Sequence, residues 1–107
     1  MFCLPSAHES FGIVYVEAWA YSKPIVGGPA PAVRELVAEG VNGFCVAQTP
    51  TEIASILVRL LSEPALARDL GENGRRLQQA QYTWEQVTET HHSIFEAAVI
   101  GRQPAKV

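Results

Sequence analysis

Short apolar runs and longer periodic segments succeed one another along the first half of the chain. The runs Phe2–Leu4, Pro24–Val26 and Phe44–Val46 are bounded by proline, glycine or polar residues, which predicts three short buried strands. The segments Ser10–Tyr21 and Pro31–Ala38 lie between these strands and have the length and the boundary residues of helices. The first half therefore alternates strand and helix.

The second half predicts helices only, and the first of these has clear boundaries. Thr49 and Glu52 have the spacing of a capping box, Pro50 occupies the first helical position, and Glu63–Pro64 ends the helix. Apolar side chains recur on one face, which predicts that this helix packs against the sheet. The recurring residues are Ile53, Ile56, Leu57, Leu60 and Leu61.

Two further helices complete the pattern. The first covers about Pro64–Ala80, and we expect Gly71 or Gly74 to disturb it because glycine weakens a helix interior. A capping box at Thr83–Gln86 opens the last helix. The apolar stripe of this last helix consists of Trp84, Val87, Ile94, Phe95 and Ala98.

The order of elements predicts an α/β fold with a short parallel sheet flanked by helices. Three strands of three residues each are fewer than the roughly five or six strands of a self-standing doubly wound sheet. The sequence therefore predicts the second half of a Rossmann-like domain over residues 1–100, followed by a flexible tail at 101–107.

Composition excludes several protein classes. Of the 107 residues, 48% are hydrophobic and 18% are charged, which excludes disordered, collagen-like and coiled-coil chains. The net charge of -3 provides no basic surplus, so no nucleic-acid partner is expected. No apolar run approaches the roughly 20 residues of a membrane span, and the N-terminus lacks the pattern of a signal peptide. We therefore expect a cytoplasmic protein without a transmembrane segment.

Cysteine and aspartate usage limits the metal chemistry of the chain. Cys3 and Cys45 lie far apart in short apolar runs, which predicts two reduced thiols packed as small hydrophobic side chains. Asp69 is the one aspartate beside ten glutamates, so paired-aspartate motifs cannot form. We therefore expect no metal site and no metal cofactor.

The loop after the first strand is the best candidate for a ligand site, because ligands of parallel sheets bind where strands lead into helices. If the next helix starts near Ser10, the backbone amides of Ser10, Phe11 and Gly12 lack intrahelical acceptors and favour an anion. Gly12 has no side chain, so a phosphate can approach the backbone closely.

Two glutamates flank the start of this helix. Glu17 stands among apolar neighbours on nearly every side, and a buried carboxylate is costly unless a partner such as the hydroxyls of a ribose satisfies it. Glu9 stands eight residues earlier, about 12 Å along a helix axis and about 80° around it. Both carboxylates can therefore address one elongated ligand.

Each of these residues also has an ordinary structural interpretation. Glu9 can be an acid near a helix N-terminus, stabilised by the helix dipole, and Glu17 can be a surface glutamate. His8 is more typical of a loop histidine than of a catalytic base. Tyr15 and Trp19 are more typical of core residues than of aromatic residues that stack on a ligand.

Taken together in their order, the motifs resemble the family-4 (group 1) retaining glycosyltransferases of the GT-B fold over about residues 2–98. The central match is the Glu-x7-Glu motif, from Glu9 to Glu17. The other matching segments are Leu4–Ser6, Lys23–Val26, Pro31–Val37, Gly40–Phe44 and Trp84. The resemblance implies the C-terminal, donor-binding half-domain of this fold.

The resemblance also implies a role for each motif residue. Glu9 would be the catalytic residue, contacting the donor sugar at the reaction centre, and Glu17 would bind the ribose hydroxyls. The other donor-binding positions would be the backbone amides of Ser10, Phe11 and Gly12, near the sugar and diphosphate, and the side chains of Ile13 and Val14, near the nucleoside. The family transfers a sugar from a nucleotide-diphospho-sugar donor, retains the anomeric configuration and generally needs no metal.

Two departures from the family pattern limit this expectation. The basic pair that neutralises the diphosphate has no counterpart here, and the loop Gly27–Pro31 differs from the usual Gly-Gly-x-Pro. We therefore expect the isolated chain to be inactive, with the sugar, lipid or other acceptor bound by a missing domain of a parent that is cytoplasmic or peripheral at a membrane. A non-catalytic nucleotide-sugar-binding module, a nucleotide-sugar epimerase fragment and a purely structural fragment remain alternatives.

The predicted half-domain also implies exposed surfaces. We expect the first strand to present a bare edge, and unpaired edges recruit other chains. The helices at Ser10–Tyr21 and Thr83–Val99 are expected to expose apolar side chains, including Trp19, Trp84 and Phe95. The sequence therefore predicts self-association.

Overall fold

A computed structural model describes residues 1–101, so all of the predicted tail except Gly101 lies outside the described residues. Strands and helices alternate in the first half of the chain, and helices alone form the second half. In chain order the elements are β1 (Phe2–Leu4), α1 (Ile13–Ala20), β2 (Ile25–Gly27), α2 (Pro31–Leu36), β3 (Gly43–Cys45), α3 (Pro50–Ser62), α4 (Pro64–Gln81) and α5 (Trp84–Ile100).

The three strands form one parallel sheet in the order β1-β2-β3, which confirms the predicted fold class. Val26 of the central strand is in register with Cys3 on one side and Phe44 on the other. The strand β2 begins one residue later than predicted, since Pro24 has no amide hydrogen to donate to the ladder. The strand β3 begins one residue earlier than predicted, at Gly43.

The central strand separates two apolar layers, because successive side chains of a strand point to opposite faces. Ile25 is fully buried among residues of α1 and α2, including Tyr15 and Val33. Val26 is fully buried against Leu60 of α3 and Leu70 of α4. Helices therefore cover both faces of the sheet.

Helix α1 is shorter than predicted at its N-terminal end. It starts at Ile13 rather than Ser10, because Gly12 adopts a left-handed conformation with φ of 86° and forms the N-cap. Helix α2 also ends early, at Leu36 rather than Ala38, because Val37 is extended with ψ of 123°.

Trp19 of α1 is fully buried, so the prediction that it belongs to an exposed apolar surface is wrong. Its indole Nε1 donates to the backbone oxygen of Asn42 at 3.0 Å. The Asn42 side chain in turn accepts from the amide of Ala38 at 2.9 Å. Burial of Trp19 and Tyr15 confirms the interpretation of both as core residues.

Helix α4 runs without interruption, so the predicted disturbance at Gly71 or Gly74 is wrong. Both glycines are buried and face α1 and its C-terminal end. A Cβ atom at Gly74 would lie 2.5 Å from Cγ of Trp19, and one at Gly71 would lie 2.6 Å from the carbonyl carbon of Ser22. The glycines therefore allow the two helices to approach closely.

The predicted N-terminal caps of α3 and α5 are confirmed. Thr49 accepts from the amide of Glu52 at 3.3 Å, but the Glu52 carboxylate accepts from the amide of Ala47 at 2.8 Å, so the second bond of this capping box is not formed. The capping box of Thr83 and Gln86 is complete. The apolar stripe of α5 is largely unpacked, since Trp84 is 73% exposed and Phe95 is 64% exposed. Among residues 1–101, β1 pairs only with β2, so its outer edge is bare as expected.

Both cysteines are free thiols, as predicted. Burial raises the pKa of Cys3 above its ordinary value. Burial and the neighbouring Glu39 carboxylate raise the pKa of Cys45 to about 11. Both thiols are therefore protonated near neutral pH, which suits a packing role.

No helix in the described part of the chain is long and apolar enough to cross a membrane.

Candidate functional site

The carboxyl ends of the three strands meet at the loop that follows β1. The amide of Ala30, after β2, donates to the backbone oxygen of Ser6 at 3.3 Å. The side chain of Gln48, after β3, donates to the backbone oxygen of Pro5 at 2.8 Å. A Cβ atom at Gly28 would lie 2.6 Å from the Ser6 nitrogen, so glycine is required for this approach. The loop at residues 5–12 is thus fixed where parallel sheets bind ligands.

Gly12 forms the turn between this loop and α1. Its φ of 86° favours glycine, and a Cβ atom there would lie 2.6 Å from Cδ2 of Tyr15. Glycine is therefore required by the fold as well as by the predicted phosphate approach. The helical hydrogen bonds begin at Tyr15, whose amide donates to the Gly12 oxygen at 3.0 Å. The backbone amides of Ile13 and Val14 are consequently the ones at the helix start without an intrahelical acceptor. The prediction had placed such amides at Ser10, Phe11 and Gly12, because it assumed that the helix starts at Ser10.

Glu9 lies in an open pocket at the carboxyl end of β1. Its side chain is half-buried, and its Oε1 accepts from the hydroxyl of Ser6 at 3.3 Å. The pocket has a volume of about 450 Å³ and is lined by Ala7, His8, Glu9, Ser10 and Pro31. The carboxylate therefore has one protein donor and keeps acceptor capacity for hydroxyl groups of a ligand.

Glu17 is exposed, so the argument that burial forces it to find a partner is wrong. Tyr15, Val16 and Trp19 form the buried face of α1, and Glu17 lies on the outer face with Ile13. The short helix is apolar in composition on both faces, and the pattern alone could not show that one face is open.

The outer face of α1 forms one wall of a largely apolar groove of about 680 Å³. The α4–α5 turn and α5 form the other wall, with Tyr82, Trp84 and His91. The rings of Phe11 and Tyr82 meet edge to face, with centroids 5.8 Å apart. This second wall was not predicted from the sequence, although Tyr82 and Trp84 lie on either side of the capping residue Thr83 and could have indicated it.

The predicted site residues are divided between these two cavities. Glu9 and Ser10 line the pocket, whereas Phe11, Ile13 and Glu17 line the groove. Gly12 is buried at the turn between them. The remaining predicted residue, Val14, is half-buried and packs against the core.

Within residues 1–101, no group of three or more His, Cys, Asp or Glu side chains is placed to hold a metal ion.

Comparisons with known proteins point to one family. Residues 1–77 match the family described as glycosyl transferases group 1. The MMP alpha-(1->4)-mannosyltransferase of Mycolicibacterium hassiacum is 38% identical over 101 residues, which is 91% of this chain and 24% of that protein. The chain thus spans about a quarter of the length of this curated relative.

Solved structures share the same fold. Sucrose-phosphate synthase from Thermosynechococcus elongatus superposes with a TM-score of 0.87 at 30% identity, over 92% of this chain and 25% of that chain. The Anabaena protein Alr3699/HepE, solved in complex with UDP-glucose, gives a TM-score of 0.75 at 29% identity, over 85% of this chain and 27% of that chain.

Proposed function

The chain belongs to the group 1 glycosyl transferases, and we propose that it is the C-terminal, donor-binding portion of a retaining enzyme. In this proposal the enzyme transfers a hexose from a nucleotide-diphospho-sugar to an acceptor. The observation that carries the proposal is the arrangement at the carboxyl end of β1. There a pocket is lined by Glu9 and Ser10, and an apolar groove is lined by the residues that follow in the chain, Phe11, Ile13 and Glu17.

This arrangement suits the two chemically different ends of a nucleotide-sugar. The sugar is rich in hydroxyl groups, and the Glu9 carboxylate can accept hydrogen bonds from them. The nucleobase is planar and its ring faces can stack on an apolar surface, which the half-exposed side chains of Phe11 and Ile13 offer. Glu17 lies on the same wall and can accept from the ribose hydroxyls.

The diphosphate then lies over the start of α1 in this proposal. The amides of Ile13 and Val14 in the first turn of α1 have no intrahelical acceptor, and the helix dipole favours an anion there. The preceding backbone at Ser10, Phe11 and Gly12 borders the diphosphate in the same proposal. Glu9 acts as the catalytic residue at the reaction centre. The solved complexes of Alr3699/HepE with UDP and UDP-glucose support a uridine or similar nucleotide donor.

We propose that this chain alone does not turn over. A departing diphosphate needs positioned cations or hydrogen-bond donors, commonly the largest contribution to the rate. The chain covers a quarter of the length of its curated relative, and no basic pair beside the pocket compensates in the described residues. Acceptor binding and diphosphate neutralisation are therefore assigned to other parts of the enzyme.

A chimera tests the proposed function. We expect that this chain, exchanged for the corresponding quarter of the Thermosynechococcus sucrose-phosphate synthase, supports sugar transfer between the host's own substrates. Glu9→Gln should lower the transfer rate at least about 100-fold, since a charge that faces the reaction centre is lost. Transfer should persist in the presence of a metal chelator, because we propose a reaction without a metal.

The alternatives give different results in the same assay. A folded chimera that binds the donor without transfer would favour a non-catalytic binding module. A product formed from the donor alone would favour an epimerase. Loss of transfer on chelation, restored by manganese, would contradict the metal-free mechanism.

We also propose that the isolated chain self-associates through its exposed apolar surface. The bare edge of β1 and the exposed Trp84 and Phe95 of α5 are the surfaces concerned. In sedimentation velocity experiments the weight-average sedimentation coefficient should rise with protein concentration. Phe95→Glu should reduce this rise. A monomer at every concentration, with a sharp unfolding transition, would contradict the proposal.

A further inference from the structure

The loop that carries Glu9 is fastened at both ends by one buried tyrosine. The Tyr15 side chain is 0% exposed, and its hydroxyl donates to the backbone oxygen of Leu4 at the end of β1. The same ring lies against Gly12 at the start of α1, and it packs edge to face on Phe2 with centroids 5.6 Å apart. Tyr15 therefore links the two ends of the loop at residues 5–12.

A serine in this loop orients the Glu9 carboxylate directly. The Ser6 hydroxyl donates to Oε1 of Glu9 at 3.3 Å. The Ser6 backbone is itself held, since its amide donates to the Leu4 oxygen at 2.8 Å and its oxygen accepts from Ala30 at 3.3 Å. A hydroxyl on a fixed backbone can hold the carboxylate in one orientation.

The two hydroxyls and the carboxylate are neighbours. Burial raises the pKa of Tyr15 above its ordinary value, the Ser6 hydroxyl acts in the opposite direction, and the negative charge of Glu9 adds to the rise. The phenol therefore keeps its proton near neutral pH and remains a donor.

We propose that Tyr15 and Ser6 are positioning residues for Glu9. Tyr15 holds the backbone of the loop, and Ser6 sets the direction of the carboxylate toward the open pocket. Neither side chain needs to touch the substrate for this role. The inference rests on the proposed function of Glu9 as the contact to the donor sugar, and it assigns to the Tyr15 hydroxyl a task beyond filling the core.

Conservative variants of this chain test the two roles separately. Tyr15→Phe removes the hydroxyl and keeps the ring in the core, and Ser6→Ala removes the donor to Glu9. Tyr21→Phe, at a tyrosine that is 78% exposed, and Ser55→Ala, on the exposed side of α3, are matched controls. Backbone order parameters from ¹⁵N relaxation report on residues 7–11. Binding is measured with two probe pairs, UDP with UDP-glucose and GDP with GDP-mannose.

We expect Tyr15→Phe to lower the order parameters of residues 7–11 from about 0.85 to below about 0.6, while the rest of the chain stays rigid. Ser6→Ala should leave the backbone ordered and reduce the advantage of the sugar nucleotide over its nucleoside diphosphate about threefold to tenfold. Both control variants should behave like the wild type.

Unchanged loop order in a folded Tyr15→Phe variant would overturn the role of Tyr15. An equal loss of the sugar nucleotide and the nucleoside diphosphate in Ser6→Ala would overturn the role of Ser6. Failure of the proposed function looks different, because Glu9→Gln would then leave the binding of both probe pairs unchanged. In that case the order parameters still decide whether Tyr15 holds the loop.

Discussion

Replacing Gly74 with alanine should lower the free energy of unfolding by about 2–3 kcal/mol. In an open helix the same change raises stability by about 1 kcal/mol, so the structure predicts the opposite sign. The added Cβ atom would lie 2.5 Å from Cγ of Trp19. The indole cannot retreat cheaply, because it is fully buried and its Nε1 donates to Asn42 at 3.0 Å.

Urea denaturation of the variant and of a matched control measures this effect. Gln79→Ala adds no contact on the same helix, since Gln79 is exposed, and should change stability by less than about 0.5 kcal/mol. A Gly74→Ala variant that is more stable than the wild type would show that α4 does not pack against Trp19. The position of α1, the helix that carries Glu17, would then have to be fixed by other contacts.

Glu17→Ala should weaken the binding of a nucleoside diphosphate about tenfold or more, because hydrogen bonds to a carboxylate are among the stronger ones. Inorganic pyrophosphate has no ribose, so its affinity should change less than about twofold under the same substitution. The difference between the two probes isolates the ribose contribution from general charge effects.

Glu85→Ala is the matched control, because Glu85 is an exposed carboxylate on the opposite wall of the same groove. We expect it to leave the affinities of both probes nearly unchanged in calorimetric titrations. If Glu17→Ala weakens UDP and pyrophosphate equally, Glu17 does not hold the ribose. If Glu85→Ala weakens the binding of UDP as much as Glu17→Ala, the loss is not specific to Glu17, and its proposed contact with the ribose is contradicted.

Local signals in the sequence were sufficient to predict most elements of the fold. The capping residues Thr49 and Thr83 mark helix starts through bonds that span only three residues, and both helices begin where expected. The three strands were recognisable because proline, glycine and polar residues bound each apolar run. Their register, from Phe2 to Ile25 and from Ile25 to Gly43, follows from long-range pairing and could not be predicted.

Features that depend on contacts between distant segments were predicted less well. Gly71 and Gly74 weaken a helix by propensity, but their contacts with Ser22 and Trp19 compensate, and no local pattern reveals those contacts. The same packing buries Trp19, for which local patterns supported both a core position and an exposed one.

The candidate site shows the same division. The loop with Glu9 was placed correctly because strand–loop–helix order alone puts it at the carboxyl end of a parallel strand. The exposure of Glu17 depends on which face of α1 meets the core, and Tyr82 and Trp84 reach the groove only through the path of α4. These facts belong to the tertiary structure.

We propose that this chain binds the donor nucleotide-sugar at the Gly12 turn, and an amide-resolved NMR titration can locate the bound nucleotide residue by residue. UDP, UDP-glucose, GDP and GDP-mannose serve as probes. We predict that at least one pair shifts the amide signals of residues 9–17, with the sugar nucleotide also affecting Glu9 and its neighbours. The expected dissociation constant is on the order of 1 mM, since the chain spans about a quarter of the length of its curated relative and no Lys or Arg of the described residues lines the pocket or the groove. Shifts confined to other helices, or no shift with any probe, would contradict donor binding at the Gly12 turn. Sub-micromolar affinity would contradict the proposal that this chain forms only part of the donor site.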